Sequence, residues 1–189
     1  MPLSKLLSPE TLLARLSLRE KIGQLNMLSP MKATLEDSLA DILPRIRQGE
    51  VGSILNIHGR ENISPIQKVA LEETASAIPL LFCFDVLHGY RSIVPNPLGE
   101  TAAFEPELWQ RTAALAARET SQDAIALTFA PMLDVARDPR WGRMAECAGE
   151  DPFVTLVYAQ AKVRGFQGTG SDWLARDQVV AACAKHFAA

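Results

Sequence analysis

The residues able to do chemistry collect at the ends of apolar runs. IPLLFCF ends in Asp85, with His88 and Arg91 close behind, and VVAACA ends in Lys185 and His186. AIALTFAP leads into a long polar loop that carries Asp134, Arg137, Asp138, Arg140, Arg143 and Glu146, and VGSILNI runs through Asn56 to His58. Cations at the mouth of an apolar strand are costly unless something uses them. Carboxylates accept hydrogen bonds from hydroxyls, while Lys, Arg and His donate to the remaining lone pairs. A planar fork or a carboxylate engages vicinal hydroxyls side by side. This mixture suits a neutral polyol such as a sugar. A phosphate would favour a glycine-rich backbone cradle opening a helix. The one glycine-rich stretch, GFQGTG, follows a helical pattern instead of a strand, so the dinucleotide fingerprint fails on context.

The elements that must position these residues alternate. SPET places Ser8 as an N-cap with Pro9 at the first helical position. SLRE is a capping box of Ser17 and Glu20, and the apolar spacing through Ile22, Leu25 and Leu28 continues helical. A third helix is expected over roughly residues 35–48, stopped by Gly49, with Pro44 bending or splitting it. Strands are expected at 51–57, 78–85, around AIALTFAP, and at 179–187. Between them lie a helix capped by Ser64 with Pro65 in its first turn, a helix over 105–122, and a helix capped by Asp151 and stopped by Gly165. Continuous apolar strands mean burial on both faces and a parallel sheet. An open doubly wound sheet and part of a (β/α)8 barrel both fit, and both put chemistry at the C-terminal ends of the strands.

Composition excludes several classes. The 189 residues are 48% apolar and 22% charged, with a formal charge of −3, and no basic stripe suggests a nucleic acid partner. No apolar run approaches a membrane span, and the first residues lack a secretory signal, so the expected place is the cytoplasm, or the periplasm or exterior if a leader was removed. Three cysteines suggest no disulfide framework; Cys83 and Cys183 are expected as buried, inert thiols. No zinc spacing is present, and neither a metal nor a cofactor is expected.

KIGQLNML, VGSILNIHG, IPLLFCFDVLHGYR, TFAPMLDVARDPRWGRMAECAGEDP, GFQG and VAACAKHFAA, in that order, resemble glycoside hydrolase family 3, most of all its β-glucosidases. The resemblance spans nearly the whole chain. It implies that residues 1–189 form the N-terminal part of a (β/α)8 barrel domain, about four parallel strands with intervening helices. It also implies a sugar pocket at the top of the barrel and an exo-acting, retaining enzyme that removes terminal β-D-glucosyl residues from a β-glucoside or short β-linked oligosaccharide. Carried over by position, Asp85, Arg143, Lys185 and His186 bind substrate hydroxyls. Retaining hydrolysis needs a nucleophile and an acid/base. The resemblance puts both beyond Ala189, so no catalytic residue is expected here and the chain alone should be inactive. Ser171-Asp172-Trp173 looks like the family's nucleophile context but precedes the lysine–histidine pair, in a loop. Cys147 stands where the family usually has glycine, and Asn96 where an apolar residue is more usual.

Blander roles compete at each position. Asp85 could cap a loop, Lys185 could be solvated, and one of Arg137, Arg140 and Arg143 should pair with Asp138 or Glu146. His88 and Trp141 read as packing or orienting residues, Glu146 and Asp151 as loop and helix supports, and His58 is undecided. Two other functions fit less well: a metal-dependent hydrolase built on His58, His88, His186 and Asp85, and a non-catalytic folding or assembly module.

Overall fold

The computed structural model describes residues 8–173 and 176–187. They fall into two compact units that divide between Phe82 and Cys83. All strand pairings described are parallel, and strands alternate with helices, an α/β organisation.

In the first unit, helices α1 (Pro9–Arg15) and α2 (Leu18–Gln24) start where the sequence says. Ser8 caps α1, and Ser17 and Glu20 form the reciprocal capping box of α2. Strand β1 (Met27–Leu28) follows, where continued helical spacing had been expected, and pairs with β2 (Ser53–Leu55). Gly23 explains why α2 ends against the chain that enters β2: a Cβ there would collide with the carbonyl of Gly49. Helix α3 (Leu35–Arg47) is one helix despite Pro44. The proline lies in its last turn and forfeits a single backbone bond there, while Ile42 and Ile46 stay buried. Helix α4 (Arg60–Glu72) starts a turn earlier than Ser64 and Pro65 suggest. Gly59 is its cap and the amides of Asn62 and Ile63 bond back to the Gly59 carbonyl. Ile63, Ile66, Val69 and Ala70 form its buried face, and that face extends back across the proline. Strand β3 (Leu81–Phe84) begins in this unit, with the Leu81 amide bonded to the Gly52 carbonyl.

The second unit takes up the end of β3, which pairs with β4 (Leu127–Thr128), and β4 pairs with β5 (Ala181–Ala182). These ladders are shorter than the apolar runs that predict them. Pro131 has no N–H to extend β4, and beyond it only Met132 and Lys185 bridge. Helix α5 (Pro97–Thr101) is absent from the sequence reading. Asn96 caps it, its side-chain oxygen accepting from the Gly99 amide at 2.8 Å. Helices α6 (Pro106–Gln122) and α7 (Pro152–Gln167) pack against each other. Gly165 does not stop α7. It lies inside the helix, where a side chain would strike Ala113 and the Gln110 carbonyl of α6, so glycine serves close packing here. The helix ends at Gly168, at φ 73°.

Beneath α5, α6 and α7 lies a buried ion pair. Lys162 Nζ is 2.7 and 3.0 Å from the Glu100 carboxylate oxygens and 3.1 Å from Thr112 Oγ1. Burial pulls the Lys162 ammonium below its ordinary value, and Glu100 works against that shift. Of the cysteines, Cys83 is buried as expected, with its thiol pushed up to about 11 by desolvation. Cys183 is only half-buried, contrary to expectation, because β5 is flanked by β4 on one side only among the described residues. No described helix is long and apolar enough to cross a membrane.

Candidate functional site

The four residues predicted to bind substrate meet in the second unit. Asp85 directly follows β3, and the next residue is pinned by a buried bond from the Val86 amide to the Thr128 hydroxyl of β4, at 3.1 Å. Lys185 is held by its backbone: its amide donates to the Pro131 carbonyl and its carbonyl accepts from Leu133. So the chain leaving β4 fixes the chain leaving β5. Lys185 Nζ then reaches Asp85 Oδ1 at 2.7 Å. The ammonium side chain is largely covered and the carboxylate side chain is 46% exposed, so Asp85 keeps its outer lone pairs open to solvent.

His186, joined to Lys185 by a cis peptide bond, turns its ring between two partners. Nδ1 is 2.7 Å from Asp134 Oδ2, and Nε2 is 3.0 Å from Arg143 Nη1. Arg143 makes a two-bond fork to Glu146, Nε to Oε1 at 2.9 Å and Nη2 to Oε2 at 2.7 Å. A 3-10 turn, Met144–Glu146, sets that spacing. The fork holds the Glu146 carboxyl below its ordinary value and raises the Arg143 guanidinium further.

Cys147 lies under this turn, fully buried among Met132 and Ala136 with Trp141 and Met144 beside them. Desolvation pushes its thiol up to about 11, so it acts as a small apolar filler. Trp141 therefore packs the loop, as read from the sequence.

The remaining polar candidates go elsewhere. Arg91 bonds Asp123 at 2.6 and 2.8 Å and its amide donates to Glu119, which ties the loop after β3 to α6. Arg140 pairs with Asp138, its neighbour in the loop. Arg137 is exposed. The His88 carbonyl accepts from the Val94 amide, a loop-closing role. Asn56 and His58 belong to the first unit. Asp172 lies in a turn and is exposed, paired with Arg176 at 2.6 Å, so the Ser171–Trp173 tripeptide does not sit on a strand. Among the described residues, no group of three or more His, Cys, Asp or Glu side chains is placed to hold a metal ion.

Asp134 is the residue the sequence reading passed over. It appears there as one polar loop residue among several. The available signal was its place: it is the first charged residue after the apolar stretch AIALTFAPML.

The arrangement sets three carboxylates against three nitrogen donors: Asp85 with Lys185, Asp134 with His186, and Glu146 with Arg143. Such a cluster offers both donors and acceptors at one mouth of a parallel α/β scaffold, a candidate site for a polar ligand. Residues 17–189 match the model of the glycosyl hydrolase family 3 N terminal domain, and the chain belongs to that family. It is 35% identical over 178 residues to a periplasmic β-glucosidase of Salmonella typhimurium, covering 94% of this chain and 22% of that protein. It is 28% identical to a lysosomal β-glucosidase of Dictyostelium discoideum, again over 22% of that protein. Among solved structures, a β-glucosidase from Listeria innocua in complex with glucose superimposes with a TM-score of 0.85 at 35% identity, covering 94% of this chain and 26% of that one. The chain thus spans about a quarter or less of the length of these relatives.

Proposed function

We propose that this chain supplies the sugar-gripping part of a retaining, exo-acting β-glycosidase that takes terminal β-D-glucosyl residues. One observation carries the reading: the Asp85–Lys185 contact at 2.7 Å and the His186–Arg143 contact at 3.0 Å are brought together by the adjacency of Lys185 and His186. A pyranose hydroxyl inserted there would accept from a cation and donate to a carboxylate. The relatives support glucose as the unit gripped, since two of the Listeria innocua structures hold glucose and laminaribiose.

The same geometry argues that the chemistry needs further carboxyls. Retaining hydrolysis uses two carboxyl groups about 5–5.5 Å apart, one of them a nucleophile. Each carboxylate of the cluster is already committed to a nitrogen donor, which suits holding hydroxyls better than attacking an anomeric carbon. The nucleophile and the acid/base are therefore assigned to other parts of the catalytic domain.

Titration of the chain with D-glucose, followed by amide chemical shifts, tests the reading. Wild type should show saturable shifts at Asp85, Arg143, Lys185 and His186. Asp85→Ala should weaken them about tenfold or more, as expected for loss of a charge-assisted bond. Absence of any saturable shift in the folded wild-type chain would overturn the assignment.

A further inference from the structure

His186 sits between a carboxylate and a guanidinium, and that fixes its proton. Arg143 can only donate and stays charged at any ordinary pH. At 3.0 Å from Arg143 Nη1, Nε2 must therefore be the acceptor. The ring's single proton is then on Nδ1, where it is donated to Asp134 Oδ2 at 2.7 Å. A histidine side chain free in water favours the opposite tautomer, with the proton on Nε2; the partner of one nitrogen decides the state of the other.

We propose that Asp134 is a positioning residue that holds His186 as the Nδ1–H tautomer, so that the Nε2 lone pair stands beside an Arg143 N–H. The carboxylate is well placed for this. Its side chain is 13% exposed, and its second oxygen faces the His186 backbone amide at 3.4 Å, so ring and backbone share one anchor. The consequence for a ligand rests on the sugar-binding reading. A hydroxyl is both donor and acceptor, so one that takes the place of the Arg143 N–H at Nε2 can donate to Nε2 while accepting from Arg143. With the proton on Nε2, two donors would face that hydroxyl and each other. Removing Asp134 should therefore weaken sugar binding without any contact between Asp134 and the sugar.

The test reads the tautomer directly, without sugar. Imidazole nitrogen and proton resonances of the chain are recorded, and His186 is assigned by the signal lost in His186→Gln. His58 and His88 serve as internal references. Wild type should show a protonated Nδ1 and an unprotonated Nε2. Asp134→Ala should lose that signature, and Asp134→Glu, which keeps a carboxylate, should retain it. A proton found on Nε2 of wild-type His186 overturns the proposal even if the Ala variant does not fold. So does an unchanged Nδ1–H signature in folded Asp134→Ala. In the same samples, glucose affinity should fall about tenfold in Asp134→Ala and within about threefold in Asp134→Glu. If wild type holds the Nδ1–H form but glucose does not bind, the sugar reading fails and the positioning role stands. If glucose binds and the tautomer ignores Asp134, the positioning role fails alone.

Discussion

At the scale of single residues, each of the four proposed sugar-binding groups has a polar partner in the cluster. Lys185 covers one oxygen of Asp85 and leaves the rest of the carboxylate open. Lys185→Ala should cost glucose affinity about tenfold or more, because it removes a donor and frees Asp85 to swing away. Arg143 is the stricter case. Its fork to Glu146 and its contact with His186 use separate nitrogens of one plane. Lysine has no such plane, so Arg143→Lys should weaken glucose binding nearly as much as Arg143→Ala, measured by the same titration. The four proposed sugar-binding residues were legible in the sequence because Asp85, Lys185 and His186 end apolar runs and Arg143 closes the DPRWGR motif. Asp134 was not, because its role depends on which side chain it faces. That is decided by the pairing of Met132 with Lys185 across the sheet, and neither residue type announces it.

At the scale of elements, existence was readable and extent was not. The capping residues Ser8, Ser17 and Asp151 acted as expected because a cap is a local event. Pro65 and Gly165 misled because each was read as a boundary signal, but Pro65 lies exposed within α4 and Gly165 serves close packing against α6. Strand β1 and helix α5 were missed because two residues of ladder and five of helix leave no periodic pattern. Asn96, an unexpected residue type for its place, turns out to cap α5. Asn96→Ala should cost about 1 kcal/mol in a denaturant titration. The buried Glu100–Lys162 pair anchors the same helix to α7. Lys162→Met leaves Glu100 without its cation, and the loss should be about 3–5 kcal/mol. Adding Glu100→Gln should restore part of it, since a neutral side chain is cheaper to bury. Recovery in the double variant, read from denaturant midpoints, separates charge burial from lost packing.

At the scale of the whole molecule, the acid response should be traceable to a small set of carboxylates. Several are held below their ordinary values by partners: Glu20 by Ser17, Glu50 by Arg19, Asp138 by Arg140, Asp172 by Arg176, and Glu146 by Arg143. All but Glu146 are surface pairs in water, where screening and side-chain entropy leave little net effect. Glu146 differs because its fork is partly sheltered and holds the loop that carries Arg143. A carboxyl whose folded value is lowered binds its proton more readily in the unfolded chain. Its contribution is therefore complete above the ordinary value near 4.5 and is lost as pH falls through the lowered folded value. Glu146→Gln removes that titration and keeps the side chain's shape. The variant should be less stable than wild type at about pH 7, and the gap should close as the pH falls below the ordinary value near 4.5. Denaturant midpoints across that range decide it. A gap that stays constant with pH would show that the fork adds no titrating stability, and the loop would then be held by Cys147, Met132 and Ala136 packed beneath it.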